Sequence, residues 1–323
     1  MKILVTGASG FIGSHMVERA LQLGYETWAA VRPTSSRRDL RDARIHVVEL
    51  DFTDETALHH QLRMCPKWDV IVHCAGVTKC RRSRDYYTIN DDATRRFADA
   101  LIALDRVPLQ FIFMSTLGTY GPQHEKPPYR PITEADTPHP NTHYGLSKRM
   151  AEVYLMGLKE FPYVIFRPTG VYGPRDKDYN IVINSIRHHI EFSLGTARQE
   201  ITFVYIHDLV KAVFLAIRYG VARRSYFVTD GNVYTPRDFG HIVRQALGNP
   251  YVMHINIPLW LGRWVAMLCD AAGKVLGYSF TFNSDKYRIL SQRNWTCDIA
   301  PLMSELGYVP EYDLQRGVTT MLK

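Results

Sequence analysis

Through the first half of the chain, apolar residues come in short, nearly unbroken runs separated by amphipathic stretches. "KILVTG" (2–7), "ETWAAV" (26–31), "RIHVVEL" (44–50), "DVIVHCAG" (69–76), "LQFIFMS" (109–115) and "YVIFRP" (163–168) read as strands. Their lack of alternation fits parallel strands covered on both faces. Segments 11–23, 54–64, 86–105 and 143–160 space their apolar residues for helices. Such β-α alternation predicts right-handed crossovers and an α/β fold built on a doubly wound parallel sheet.

After about residue 174 the pattern changes. Helical runs at 180–191, 207–219, 236–247, 258–276 and 298–306 enclose short strands such as "ITFVYI" (201–206) and "SYFVT" (225–229). The expected organisation is a dinucleotide-binding domain over 1–174, with 201–229 returning to it. A smaller, mainly C-terminal substrate domain then takes 175–200 and 230–323. The loop 121–143 carries six prolines and little periodicity; loops of that length in compact domains are usually functional. It joins the strand ending in "MST" to the helix beginning near residue 143, so it is expected to edge the active site. In 257–277, Trp260, Trp264, Met267, Leu268, Ala271 and Val275 recur at helical spacing, interrupted by Arg263, Asp270 and Lys274. A helix with one buried face is expected there rather than a membrane span, with an interfacial helix as the alternative.

Composition changes this picture little. The 323 residues are 46% hydrophobic and 22% charged, and the net charge is +7. The basic residues are scattered apart from 32–44 and 79–84, and no nucleic-acid-binding motif surrounds them. Five cysteines (65, 74, 80, 269, 297) form an odd set without a CxxC, which points to reduced thiols and a cytoplasmic protein, with no metal site. A strand and glycine turn stand where a signal peptide would lie.

The chemistry concentrates in a few motifs. "VTGASGFIGSH" (5–15) sets Gly7, Gly10 and Gly13 between the first strand and the first helix. These glycines suit a tight turn, close approach of amides to a pyrophosphate, and helix–strand packing. With Ser9, Phe11 and Ile12 they form the expected phosphate-binding turn of a Rossmann sheet. The second strand ends at Arg32, followed by Ser35, Ser36, Arg37 and Arg38, where an NAD site usually has an acid. A cation there suits a 2′-phosphate, so NADP(H) is favoured and NAD(H) stays open; Arg32 stacking on adenine or facing solvent is the alternative. Asp51 and Phe52 end the third strand, and Cys74, Ala75 and Gly76 the fourth, both on the cofactor side of such a sheet. Asp51 is equally suited to cap the helix beginning near Asp54. "YGLSK" (144–148) stacks Tyr144 and Lys148 on one helical face.

Taken in order, "TGASGFIG", "HCAG", "MSTLGTYGP" (114–122), "YGLSK", "RPTGVYGPRD" (167–176) and "FVYIHDLVKAV" (203–213) resemble the extended short-chain dehydrogenases/reductases. Within them the chain is similar to the NAD-dependent epimerase/dehydratase superfamily, over nearly its whole length. The resemblance implies that Tyr144 is the general acid/base, and that Lys148 lowers its pKa and holds the nicotinamide ribose. It also implies that Thr116 hydrogen-bonds the reacting oxygen, with Ser115 the lesser candidate, and that Asn90 is structural or lies near the cofactor. Pro168, Gly170 and Val171 would lie near the carboxamide. A homodimer acting on a small molecule is expected.

Three departures bear on the substrate. Leu117-Gly118 stand where dehydratases of the family carry Asp-Glu. Gly170 replaces an Asn, and Ile201 an Arg, that would contact a substrate diphosphate. "SQRNWTCDIAPLMSELGYVP" (291–310) replaces an arginine-containing segment. These features look more like the hydroxysteroid dehydrogenase and dihydroflavonol reductase branch. The expected activity is therefore NAD(P)-dependent interconversion of a secondary alcohol and a ketone on a non-nucleotide molecule. A sugar or nucleotide-sugar epimerase is the alternative, and a non-catalytic dinucleotide sensor is a third.

Overall fold

The computed structural model describes residues 1–278 and 280–322, without the side chains of residues 274 and 275. The chain begins with β1 (Lys2–Thr6), α1 (Phe11–Gln22), β2 (Glu26–Val31), β3 (Ile45–Glu49), α2 (Glu55–Met64) and β4 (Val70–His73). Next come α3 (Ser83–Tyr86), a π-helical turn (Tyr87–Asp92), α4 (Ala93–Ala103), β5 (Gln110–Met114), α5 (His143–Gly157) and β6 (Tyr163–Pro168). β7 (Gly170–Tyr172), α6 (Asp178–Arg187), β8 (Ile190–Leu194), β9 (Phe203–Tyr205), α7 (Ile206–Tyr219) and β10 (Arg224–Val228) follow. The C-terminal part holds α8 (Pro236–Ala246), β11 (Met253–Ile257), α9 (Leu259–Leu276), α10 (Ser284–Ser291), α11 (Ala300–Leu306) and α12 (Leu314–Leu322).

Among the described residues, the main sheet has seven strands in the order β3-β2-β1-β4-β5-β6-β10. The register pairs Val5 with Ala29 on one side of β1 and with Val72 on the other, all parallel. Strand order reverses between β1 and β4, and a doubly wound sheet opens its ligand crevice there, beyond the strands' C-terminal ends. β1, β4, β5 and β6 are buried along almost their whole length, as their unbroken apolar runs require. The edge strand β3 is the exception, with His46 and Val47 exposed.

The chain divides into two compact units: Met1–Thr116 with Leu146–Arg167 and Val210–Tyr226, and Leu117–Gly145 with Pro168–Leu209 and Phe227–Lys323. In the first, Trp68, Phe97, Phe111, Phe113 and Ile165 centre an apolar core. In the second, two parallel pairs, β7 with β9 and β8 with β11, accompany the helices. An aromatic cluster of Tyr172, Tyr179, Phe203 and Phe239 surrounds the β7–β9 pair.

Two expectations need correction in this second unit. The helical run 180–191 stops at Arg187, because His189 takes a left-handed conformation (φ 65°). Ile190 to Leu194 then pair with β11, and the β-branched and aromatic residues Ile190, Phe192, Ile255 and Ile257 suit strands. The helix at 258–276 forms, but its Trp face is not buried: Trp260 is 66% exposed, Trp264 60% and Leu268 65%. The small residues Gly262, Ala266 and Gly273 face inward instead. The Val275 side chain lies outside the described residues.

The proline-rich loop 121–143 is pinned by the segment after α10. Buried Asn294 donates to the Gln123 and Arg130 carbonyls, and Glu125 accepts from the Arg293 and Asn294 amides. No helix among the described residues is long and apolar enough to cross a membrane.

Candidate active site

The turn after β1 is built for close backbone approach. Gly7 has φ +63°, and the Gly10 amide donates to its carbonyl at 2.9 Å. A Cβ on Gly13 would stand 2.2 Å from the Gly7 oxygen, so only glycine lets α1 start this close to β1. A Cβ on Gly7 would in turn meet the Cys74 carbonyl and the Ala75 nitrogen at 2.7 Å, so the loops after β1 and β4 touch at the crevice. No side chain caps α1 at Gly10, and its first turn holds no acid. Ser9, Phe11 and Ile12 lie on this turn, half-buried. Uncapped amides at a helix N-terminus, with the dipole behind them, suit an anion such as a pyrophosphate. The residues present therefore fit a dinucleotide.

Beyond β2, Arg32 is exposed, and its amide donates to the Ser35 hydroxyl at 3.2 Å. An Arg37–Glu49 ion pair of 2.7 Å ties the same loop to β3. Asp51 accepts from the amide and hydroxyl of Thr53, and these bonds hold its carboxyl below the usual range. The cap of α2 is Asp54, which accepts from the Ala57 amide. Phe52 packs edge-on against Phe97 and His73.

A buried polar chain fixes the loop after β4. Thr6 bonds His73 Nδ1 at 2.8 Å, His73 Nε2 bonds Thr94 at 3.1 Å, and the Thr94 hydroxyl donates to the Asn90 carbonyl. Because Thr94 gives its proton to that carbonyl, only one tautomer satisfies the chain, with the proton on His73 Nε2 and Nδ1 accepting from Thr6. Burial, with the Lys148 charge behind it, lowers the His73 pKa to about 3, so this imidazole is neutral. Asn90, in the π-helical turn, accepts from the Val77 amide, donates to the Val77 carbonyl, and donates to Ser147 at 3.0 Å. Asn90 thereby clamps the loop to α5, one residue from Lys148.

Lys148 is 4% exposed, and its ammonium lies 4.1 Å above the Phe113 ring. Burial lowers its pKa to about 8, with Cys74 and Glu152 opposing the shift. Burial also pushes the nearby Cys74 thiol up to about 12, which keeps it neutral. A Cβ on Gly76 would lie 3.7 Å from Lys148 Nζ. Gly76, Cys74, Asn90 and Lys148 are thus brought together in the first unit.

One turn further along α5, Glu152 is fully buried. It accepts from Ser115, Arg149 and both Nε and an Nη of Arg167. Ser115 is therefore turned toward α5. Thr116, the next residue on the extended strand end, is half-buried.

In the second unit, Thr142 caps α5 by accepting from the Gly145 amide at 3.0 Å. The Tyr144 amide donates to Asp285 at 3.3 Å. Helical spacing puts Tyr144 and Lys148 on one side of α5. Pro168 is buried, Gly170 and Val171 are half-buried, and β7 starts at Gly170. A Cβ on Gly170 would meet the Tyr179 hydroxyl at 2.2 Å, so the tyrosine fills the space a side chain would need. Ile201 forms a backbone bridge with Tyr234.

Sequence reasoning missed Glu152, Arg167, His73 and Asp285. A glutamate four residues after Lys148 on the same helical face was the available signal.

The chain belongs to the NAD dependent epimerase/dehydratase family, whose model matches residues 3–228. An uncharacterised UDP-glucose epimerase of Bacillus subtilis is 30% identical over 66% of this chain and 71% of its own. The decarboxylating sterol-4-alpha-carboxylate 3-dehydrogenase of Dictyostelium discoideum is 24% identical over 98% of both chains. The UDP-glucose 4-epimerase of Thermotoga maritima, solved with UDP-glucose, shares the fold at a TM-score of 0.79 and 22% identity, covering 100% of this chain and 97% of its own.

Proposed function

We propose that this family member is an NADP(H)-preferring oxidoreductase that interconverts a secondary alcohol and a ketone on a non-nucleotide small molecule. Residues 1–174 with 201–229 would bind the dinucleotide, and 175–200 with 230–323 the substrate. The uncapped start of α1 holds the pyrophosphate, and Arg32 meets the 2′-phosphate. Asp51 and Phe52 border the adenosine, with Cys74, Ala75 and Gly76 beside the dinucleotide and Pro168, Gly170 and Val171 near the carboxamide. When bound, the nicotinamide supplies or accepts the hydride. Tyr144 gives the proton to the carbonyl oxygen, or removes it from the hydroxyl, while Thr116 hydrogen-bonds that oxygen. Lys148 keeps a positive charge at neutral pH, because its lowered pKa of about 8 still lies above it. That charge lowers the Tyr144 pKa, and the ammonium holds the ribose.

The observation that carries the substrate reading is the Tyr179 hydroxyl over Gly170. Where relatives with a diphosphate substrate present an Asn, this chain presents a filled aromatic corner, with the aliphatic Ile201 in place of an Arg. An unpaired diphosphate costs several kcal/mol. A second reading, a nucleotide-sugar epimerase, is favoured by the 30% identity to the Bacillus subtilis protein.

The test is isothermal titration of the NADP-loaded protein with UDP-, GDP- and dTDP-sugars, paired with an assay for net turnover of free cofactor on a panel of alcohols and ketones. Little sugar binding with net turnover is expected. Micromolar binding of any nucleotide sugar overturns the reading in favour of the epimerase.

A further inference from the structure

The outward face of α9 has no partner within the described structure. At 100° per residue, Met267, Trp260, Ala271, Trp264, Leu268, Leu261, Val265 and Leu276 follow one another round roughly half of the helix. All eight are exposed. The opposite side packs through Gly262, where a Cβ would meet Leu194 at 2.5 Å and Tyr287 at 3.6 Å. Arg263 stands at the border of the apolar arc, Tyr278 is exposed just beyond the C-terminal end of α9, and no acidic residue occurs from 251 to 269.

We infer that α9 docks the protein on the surface of a phospholipid bilayer containing anionic lipid. A helix packed against another helix covers a stripe about 100° wide. A second copy presenting the same ridge would therefore leave much of this half-cylinder wet, whereas a deformable interface covers all of it. Tryptophan and tyrosine are the side chains that settle at the headgroup boundary. Arg263 and the lack of carboxylates match anionic headgroups. The length and composition of α9 exclude a span, so the helix lies in the plane of the interface. This inference does not depend on the substrate reading, because vesicle binding needs neither cofactor nor substrate.

The experiment is co-sedimentation of the full chain with vesicles of phosphatidylcholine alone or mixed with phosphatidylglycerol, with tryptophan emission read in parallel. The protein should sediment with the mixed vesicles, and its emission should shift to the blue. The W260A/W264A/L268A variant, altered only at exposed positions, should partition at least ~10-fold more weakly with an unchanged melting curve. Arg263→Glu should weaken binding to the mixed vesicles by about 5-fold or more and leave any binding to neutral vesicles unchanged. Failure to sediment with either vesicle overturns the inference. So does a triple variant that loses self-association while its vesicle binding is unaltered, which would assign the face to a second copy.

Discussion

Replacing Lys148 with methionine should change how stability depends on pH, in a direction the structure fixes. The lysine is buried, and its pKa falls from 10.5 to about 8. Below about pH 8 the folded and unfolded chains both hold the proton, so folding bears the full cost of burying the ammonium. Between about 8 and 10.5 the unfolded chain keeps the proton that the folded chain has lost, so the wild type gains stability as pH rises through this window. At about 1.4 kcal/mol per pKa unit the gain reaches about 3 kcal/mol. The Phe113 face under the ammonium returns up to about 2 kcal/mol of the burial cost, which sets a lower bound near 1 kcal/mol. Methionine keeps the unbranched apolar stem and cannot titrate. Urea unfolding of the cofactor-free protein should therefore show the wild type gaining about 1–3 kcal/mol on the variant across the window. Taking the difference cancels the other lysines and tyrosines that titrate there. Parallel stability curves for the two proteins would refute the argument.

Tyr144→Phe removes one hydroxyl and should leave the melting temperature intact while turnover falls by about 10²–10⁴-fold; unchanged kcat would take Tyr144 out of the mechanism. Arg32→Ala should weaken NADP(H) by roughly tenfold or more with little effect on NAD(H), read by titrating each cofactor; an equal loss for both would mean that Arg32 only stacks on the adenine. Glu152→Ala removes the buried carboxylate that accepts from Arg167 and should cost about 3–5 kcal/mol in urea unfolding; a loss below about 1 kcal/mol would refute a buried ion pair at this position.

The main sheet was legible because parallel strands buried on both faces leave unbroken apolar runs, and the runs 26–31, 109–115 and 163–168 mark real strands. The second unit was less so. α12, with Gly317 and two threonines, has weak helix propensity; it forms where Gly317 lets the backbone lie against the Tyr172 hydroxyl. α9 shows a different limit. Periodicity reports that Trp260, Trp264 and Leu268 share a face, but not whether protein covers that face. In the site, the spacing of Tyr144 and Lys148 left their role open, and the resemblance of the motifs taken in order singled out Lys148; the structure sets it beside Gly76 and close to Asn90. The His73 and Glu152 networks were hard to read, since Thr6 lies 67 residues from His73 and Ser115 lies 37 from Glu152, and apart from the spacing of Glu152 from Lys148 each residue reads alone as an ordinary polar position.

Those two networks explain how a long side chain such as a lysine is held in place. Glu152 sits one turn beyond Lys148 and binds strand ends on both β5 and β6, through Ser115 and Arg167. A buried ion pair of this kind contributes little net stability, because desolvation offsets most of the attraction. What it does supply is register. A slip of α5 by one residue would swing the carboxylate about 100° away from Ser115 and Arg167 and break the buried bonds to both. Asn90 adds the same constraint at the other end of the segment, through Ser147 and both polar groups of the Val77 backbone. Lys148 lies between these two fixed points, and the Ser115 bond also sets the strand end from which Thr116 follows. The stability given up by burying polar groups here is returned as position at the one helix that carries both Tyr144 and Lys148.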